Sequence, residues 1–238
     1  MKNITSLAKD IAEGWSHLFF PSCCPGCGSD LLARDQLICL SCLNRLPATD
    51  FHLHPGNPVE KIFWGRIPII AAACQYYFTK HSPLQQIMHQ FKYRGKRKLG
   101  HYLGSIMGNS ISRSGRFADI EAMIPLPLYA AREKQRGFNQ AAVLCEGMKE
   151  ILKVPVFPRA MIRLSDTSTQ THKSRMERWQ NMAGRFQVSD QTSLEHKHLL
   201  LVDDVITTGA TLEACAQELT KIKGTRVSIT ALAFASDL

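Results

Sequence analysis

The sequence predicts an α/β protein: a mostly parallel sheet flanked by helices, preceded by a small metal-binding ribbon. Three observations carry this. From about residue 60 onward, short apolar runs alternate with amphipathic stretches, the pattern of parallel strands joined by helices. Two C-x₂-C pairs lie close together near the N-terminus. At 238 residues and 45% hydrophobic, the chain is long enough for one sizeable core and a small appendage. The expected division is an N-terminal helix and ribbon over 1–50 and the α/β domain over 60–238.

Ile4, Leu7, Ile11, Trp15 and Leu18 fall at helical spacing, so a short amphipathic helix is expected over 3–18. A Cys-, Pro- and Gly-rich piece follows to Pro47, then a linker-like stretch, Ala48–Val59. Ile67–Phe78 reads as a strand. Residues 83–113 read as two helices separated at Gly95. Ile120–Leu126 is expected as a buried strand and Asn139–Leu152 as a helix. The polar run Ser165–Asn181 suits a mobile loop leading into a helix. Leu199–Val202 reads as a short apolar strand, Thr211–Lys223 as a helix and Arg226–Phe234 as a last strand.

No run approaches the ~18 apolar residues of a membrane span. The first twenty residues carry Asp10 and Glu13, so no signal peptide is expected and the address is cytoplasmic. Thiols stay reduced there, and the clustered members of the eight cysteines point to metal rather than disulfides. Cys24-Pro-Gly-Cys27 and Cys39-Leu-Ser-Cys42 form two knuckles, a tetrahedral four-sulfur set suited to structural zinc. Cys23 has the longer spacing to Cys27 and reads as a spectator, as do His52 and His54. Cys74, Cys145 and Cys215 read as small buried hydrophobes.

The net charge of +9 is uneven. Between Lys61 and Phe117 there are ten Lys or Arg and no Asp or Glu, leaving −1 for the rest of the chain. An anionic partner is expected on that segment. Its densest part, Phe91-Lys92-Tyr93-Arg94-Gly95-Lys96-Arg97-Lys98, interleaves aromatics with cations. Lys92, Arg94, Lys96, Arg97 and Lys98 are therefore candidates to bind single-stranded nucleic acid, the alternative being a solvated helix end.

The sharpest chemistry lies in Leu199–Thr211. An apolar strand runs into Asp203 and Asp204, and Thr207-Thr208-Gly209-Ala210-Thr211 lead into a helix. Loop amides and the positive helix end make an anion site, with hydroxyl donors beside it. Carboxylates accept hydrogen bonds and suit the vicinal hydroxyls of a ribose. The string describes a holder for a ribose 5-phosphate.

Leu199–Thr211 resembles the 5-phosphoribosyl-1-pyrophosphate (PRPP) signature of type I phosphoribosyltransferases, and the whole chain resembles the competence protein F (ComF, or GntX-like) family. The likeness rests on the cysteine knuckles, Phe91–Gly95, Pro125-Leu126-Pro127 and Arg132. It continues through Arg136-Gly137-Phe138-Asn139-Gln140, Asp166-Thr167, Gln170, Arg178, Asn181, Gly184 and Phe186 to the signature. Arg185 departs from it, standing where a small residue is usual.

The resemblance implies a type I phosphoribosyltransferase fold preceded by a zinc ribbon. It implies PRPP on Asp203, Asp204 and Thr207–Thr211, with Arg132 and Arg136 toward pyrophosphate and Mg²⁺ accompanying it. Gln170, Lys173 and Arg178 fall where related transferases carry a lid, with Gln170 and Arg178 as the catalytic candidates. The family is associated with natural transformation and the use of external DNA as nutrient. The partners implied are PRPP, single-stranded DNA and proteins of DNA uptake, replication or recombination. The sequence opens Met-Lys-Asn with its early cysteines in knuckles, so glutamine-driven amination is not expected. The acceptor is left open. A phosphoribosyltransferase, a non-catalytic PRPP sensor and a DNA-binding adaptor remain the competing readings.

Overall fold

The computed structural model describes residues 23–30, 32, 36–164 and 185–235. The expected 3–18 helix and the polar run from Ser165, with Gln170, Lys173 and Arg178, lie outside them. In chain order the elements are α1 (Leu40–Asn44), α2 (Pro58–Phe63), β1 (Ala72–Tyr77), α3 (Pro83–Tyr93), α4 (Arg97–Ser112) and β2 (Ala122–Pro125). Then come α5 (Ala130–Arg136), α6 (Gln140–Leu152), β3 (Met161–Arg163), β4 (Phe186–Val188), β5 (His198–Ile206), α7 (Ala210–Thr220) and β6 (Arg226–Phe234).

The main sheet has the order β1-β6-β5-β2, and every pairing is parallel. The two central strands are mostly apolar and largely buried, as a sheet covered on both faces requires. Helices α4 and α6 pack so closely that a Cβ on Gly104 or Gly147 would strike the other helix's backbone. A separate antiparallel hairpin pairs β3 with β4. No helix among the described residues is long and apolar enough to cross a membrane.

Two readings change. The stretch 48–59 is not a linker. Ala48 bridges Tyr76 as an antiparallel edge on β1, and Asn57 anchors the rest. Its side chain caps α2 by accepting from the Val59 and Glu60 amides, and its amide donates to the carbonyls of Phe51, His54 and Ala72. Secondly, β5 does not end at Val202. Pairing with β6 continues through Asp203↔Ala231 to Ile206↔Phe234, because the ladder uses backbone groups and tolerates acidic side chains.

The cysteine segment shares the main core. Cys24, Ile38, Cys42 and Leu46 belong to one buried cluster with Leu84, Ile87 and Phe91 of α3.

Candidate functional site

Asp203 and Asp204 are half-buried near the end of β5, and the turn beyond them leads into α7. Gly209 makes that turn with φ 74°, a conformation other residues adopt only under strain. A Cβ there would also come within 2.6 Å of Ile62 Cγ2. Being glycine, the N-cap offers α7 no side-chain acceptor. The first-turn amides and the helix dipole's positive end therefore face an open pocket, lined in part by Asp203, Ile206, Thr207, Thr208, Gly209 and Thr211. The Thr208 hydroxyl accepts from the Ala210 amide at 3.5 Å. Glu213, buried in the same first turn, is neutralised by Arg66 at 3.0 Å.

The two carboxylates differ. Burial first, and then the Asp204 charge, push the Asp203 carboxyl up to about 8, against the opposing pull of the Asp204 amide and Lys92. Asp204 instead has a partner: Lys92 Nζ lies 2.8 Å from its Oδ2. Lys92 was expected in the nucleic-acid patch. The structure aims it inward because Phe91, fully buried against Phe138 at 5.7 Å, fixes the last turn of α3.

The Arg136–Gln140 string folds into a clasp beside this site. Gly137 ends α5 in the left-handed conformation, Phe138 is buried, and Asn139 caps α6 while donating to the Leu126 carbonyl. Arg136 donates to Gln140 Oε1 at 2.8 Å and lies 5.6 Å over the Tyr93 ring. Arg132 is half-buried and forms no ion pair with a described residue.

The positive segment is thinner than its sequence suggested, since carboxylates from outside it reach in. Arg66 meets Glu213, Lys92 meets Asp204, Arg97 meets Glu146 at 3.9 Å, and Arg116 pairs with the buried Glu60. Arg97 also lies 5.7 Å over Phe138. Arg94, Lys96 and Lys98 stay exposed, without ion pairs among the described residues.

The sulfurs of Cys24, Cys27, Cys39 and Cys42 lie within 4.8 Å of one another and can hold a metal ion. Cys23 and the histidines stay outside this set. A tetrahedral ion with sulfurs at ~2.3 Å spaces its ligands about 3.8 Å apart, and Cys27 Sγ is 3.7 Å from Cys39 Sγ. The Cys39 amide points at Cys24 Sγ and the Cys42 amide at Cys39 Sγ, each at 3.4 Å. Burial works to raise the Cys24 thiol, but the backbone donors of Cys39, Cys27 and Gly26 bring it down to about 6. Burial and the neighbouring thiols push Cys42 up. A Cβ on Gly26 would meet Cys42 Sγ at 2.9 Å and Ile87 Cδ1 at 3.4 Å, so the knuckle sits directly on α3.

A parallel sheet with an anion-ready turn after an acid-bearing strand defines a phosphoribosyltransferase-type protein, and the phosphoribosyl transferase domain family matches residues 140–237. Relatives span most of the chain. Competence protein F of Haemophilus influenzae is 28% identical over 88% of this chain and 83% of its own length. DNA utilization protein YhgH of Escherichia coli is 28% identical over 78% of each. Competence protein ComFC of Bacillus subtilis is 27% identical over 84% of each. Along most of its length the chain is thus similar to proteins named for competence and DNA utilization. A hypoxanthine phosphoribosyltransferase structure from Staphylococcus aureus is 13% identical, covering 58% of this chain and 64% of that one, with a TM-score of 0.35; so low a score bears on neither fold nor function.

Proposed function

We propose that this is a PRPP-binding protein serving the uptake or use of DNA. The observation that carries the reading is the uncapped N-terminus of α7 standing beside the acid pair of β5. The 5-phosphate takes the amides and hydroxyls of Thr207–Thr211. The ribose hydroxyls donate to Asp203 and Asp204. Arg132 and Arg136 lie toward the pyrophosphate, whose oxygens and bound water hold most of the Mg²⁺ shell. Zinc fills the four-sulfur site as a closed structural ion, supported by the sulfur spacing. Single-stranded DNA takes the exposed Arg94, Lys96 and Lys98, support for which comes from the DNA-related names of the relatives.

Calorimetric titration of Mg-PRPP into wild type and an Asp203→Ala/Asp204→Ala variant tests this. Hydrogen bonds to charged groups are worth about 1.5–3 kcal/mol and neutral ones about 1, so affinity should fall about a hundredfold. Equal binding by the two proteins, or none by wild type, refutes the assignment. Pyrophosphate release from PRPP against a panel of DNA, nucleosides and amines then separates transfer from sensing.

A further inference from the structure

We infer that Lys92 belongs to the phosphoribosyl site, as a positioning residue that neutralises Asp204 so that an acid pair can receive a polyanion. This rests on the PRPP reading above.

PRPP carries a phosphate and a pyrophosphate, and two adjacent carboxylates would repel it. The carboxylates are nonetheless built in, on a strand paired along its length with β6. What faces them is specific. From α3, the Lys92 ammonium reaches Asp204 at 2.8 Å, with only 21% of its side chain and 15% of the aspartate's exposed. The thiol of Cys74 on β1 and that of Cys215 on α7 also sense Asp203, and burial keeps both high and neutral. Among the described residues, Lys92 is the cation paired with the acids.

The charge state follows. Asp203 holds its proton to about pH 8, while Asp204 and Lys92 cancel one another. The acid pair with its lysine therefore meets an anionic ligand with no net charge, and Asp204 still offers acceptor lone pairs to a ribose hydroxyl. The direction of Lys92 is set by the core: Phe91 before it is buried and Tyr93 after it lies under Arg136. A lysine serving DNA phosphates would stand in solvent, as Arg94 does.

Lys92→Met keeps the length of the side chain without its charge, and Lys92→Arg keeps the charge. Three readouts are compared: carbon-13 carboxyl titration of the ligand-free proteins, Mg-PRPP calorimetry, and single-stranded DNA binding. Lys92 helps hold the Asp203 carboxyl down, so its loss in Lys92→Met should raise the Asp203 titration midpoint further. PRPP affinity should fall by about tenfold, because the unneutralised Asp204 carboxylate then repels the ligand phosphates, while DNA affinity stays within about twofold of wild type. Lys92→Arg should restore both the midpoint and most of the PRPP affinity. A merely structural lysine would lower the melting temperature without moving the Asp203 midpoint. If the midpoint and PRPP affinity are unchanged while DNA affinity drops and its salt dependence flattens, Lys92 belongs to the nucleic-acid surface and the inference fails. If wild type binds no PRPP, the reading of the whole site falls with it. Binding by wild type with an unmoved Asp203 midpoint overturns the Lys92 role alone.

Discussion

Replacing Asp203 by Asn should make the protein more stable at neutral pH, an unusual outcome for a half-buried polar residue in the middle of a site. In the fold the carboxyl titrates near 8, whereas its ordinary value is 3.8, because burial and the Asp204 charge disfavour ionisation. A raised carboxyl favours the fold fully below its unfolded value. That advantage is lost as pH climbs through the window from about 4 to about 8, where the folded protein keeps a proton that the unfolded chain releases. Each pH unit in the window costs about 1.4 kcal/mol, an upper limit of about 4 kcal/mol at pH 7. Water reaching the partly exposed side chain trims this to about 1–3 kcal/mol. Asn matches the neutral acid in shape and cannot ionise, so it should gain that amount and flatten the pH dependence. It keeps one carbonyl oxygen in place, so Mg-PRPP affinity at pH 7 should fall less than in the double alanine variant. Urea unfolding of both proteins at pH 5, 7 and 9 measures the effect. Equal slopes with pH, or a less stable Asn variant at pH 7, would show that Asp203 carries its charge in the folded protein.

The purified protein should hold about one zinc per chain, and Cys27→Ser or Cys39→Ser should release it. Because the knuckle at Gly26 rests on Ile87 of α3, metal loss should also weaken PRPP binding; elemental analysis and calorimetry on the same samples check both, and full zinc in either variant refutes the ligand set. Changing Arg94, Lys96 and Lys98 together to Gln should weaken single-stranded DNA binding equally for all sequences and flatten its salt dependence, by about 0.7 in log–log slope for each DNA phosphate no longer neutralised. Undiminished binding by that triple variant places the DNA on another surface.

The alternation of strands and helices was legible because each element is a contiguous run. Arg226–Phe234 is the strand its apolar composition announces, and Gly95 does separate two helices. The four-cysteine set and the 203–211 string were legible for the same reason: their partners are near in sequence. What escaped depends on distant partners. Helix α2 hides in a Pro- and Gly-containing stretch because Asn57 and the Glu60–Arg116 pair hold it from outside. The β3–β4 hairpin joins two three-residue strands with a long insertion between them, too short for periodicity to register. Lys92 escaped because nothing near it in sequence is acidic; its aspartate arrives from β5. Arg66 and Arg116 were miscounted as free charge on the same ground.

The string Phe91–Lys98 shows how helical geometry divides what a sequence presents as one patch. Successive residues on a helix point about 100° apart. Phe91 therefore enters the core, Lys92 turns to Asp204, Tyr93 lies beneath Arg136, and Arg94 at the end of α3 reaches solvent. Beyond Gly95 the cations do not decorate a helix C-terminus, where they would be favourable. Lys96 is the N-cap of α4 and makes no side-chain cap bond, with Arg97 and Lys98 in the first turn. Cations at that positive end are disfavoured by about 0.3–1 kcal/mol each. Arg97 recovers part of this through Glu146 and Phe138. Lys96 and Lys98 have no such partner among the described residues. An anion brought to this helix start would meet the dipole's positive end and both lysines together. That combination, rather than the number of basic residues in the segment, is the physical ground for placing a nucleic-acid phosphate there.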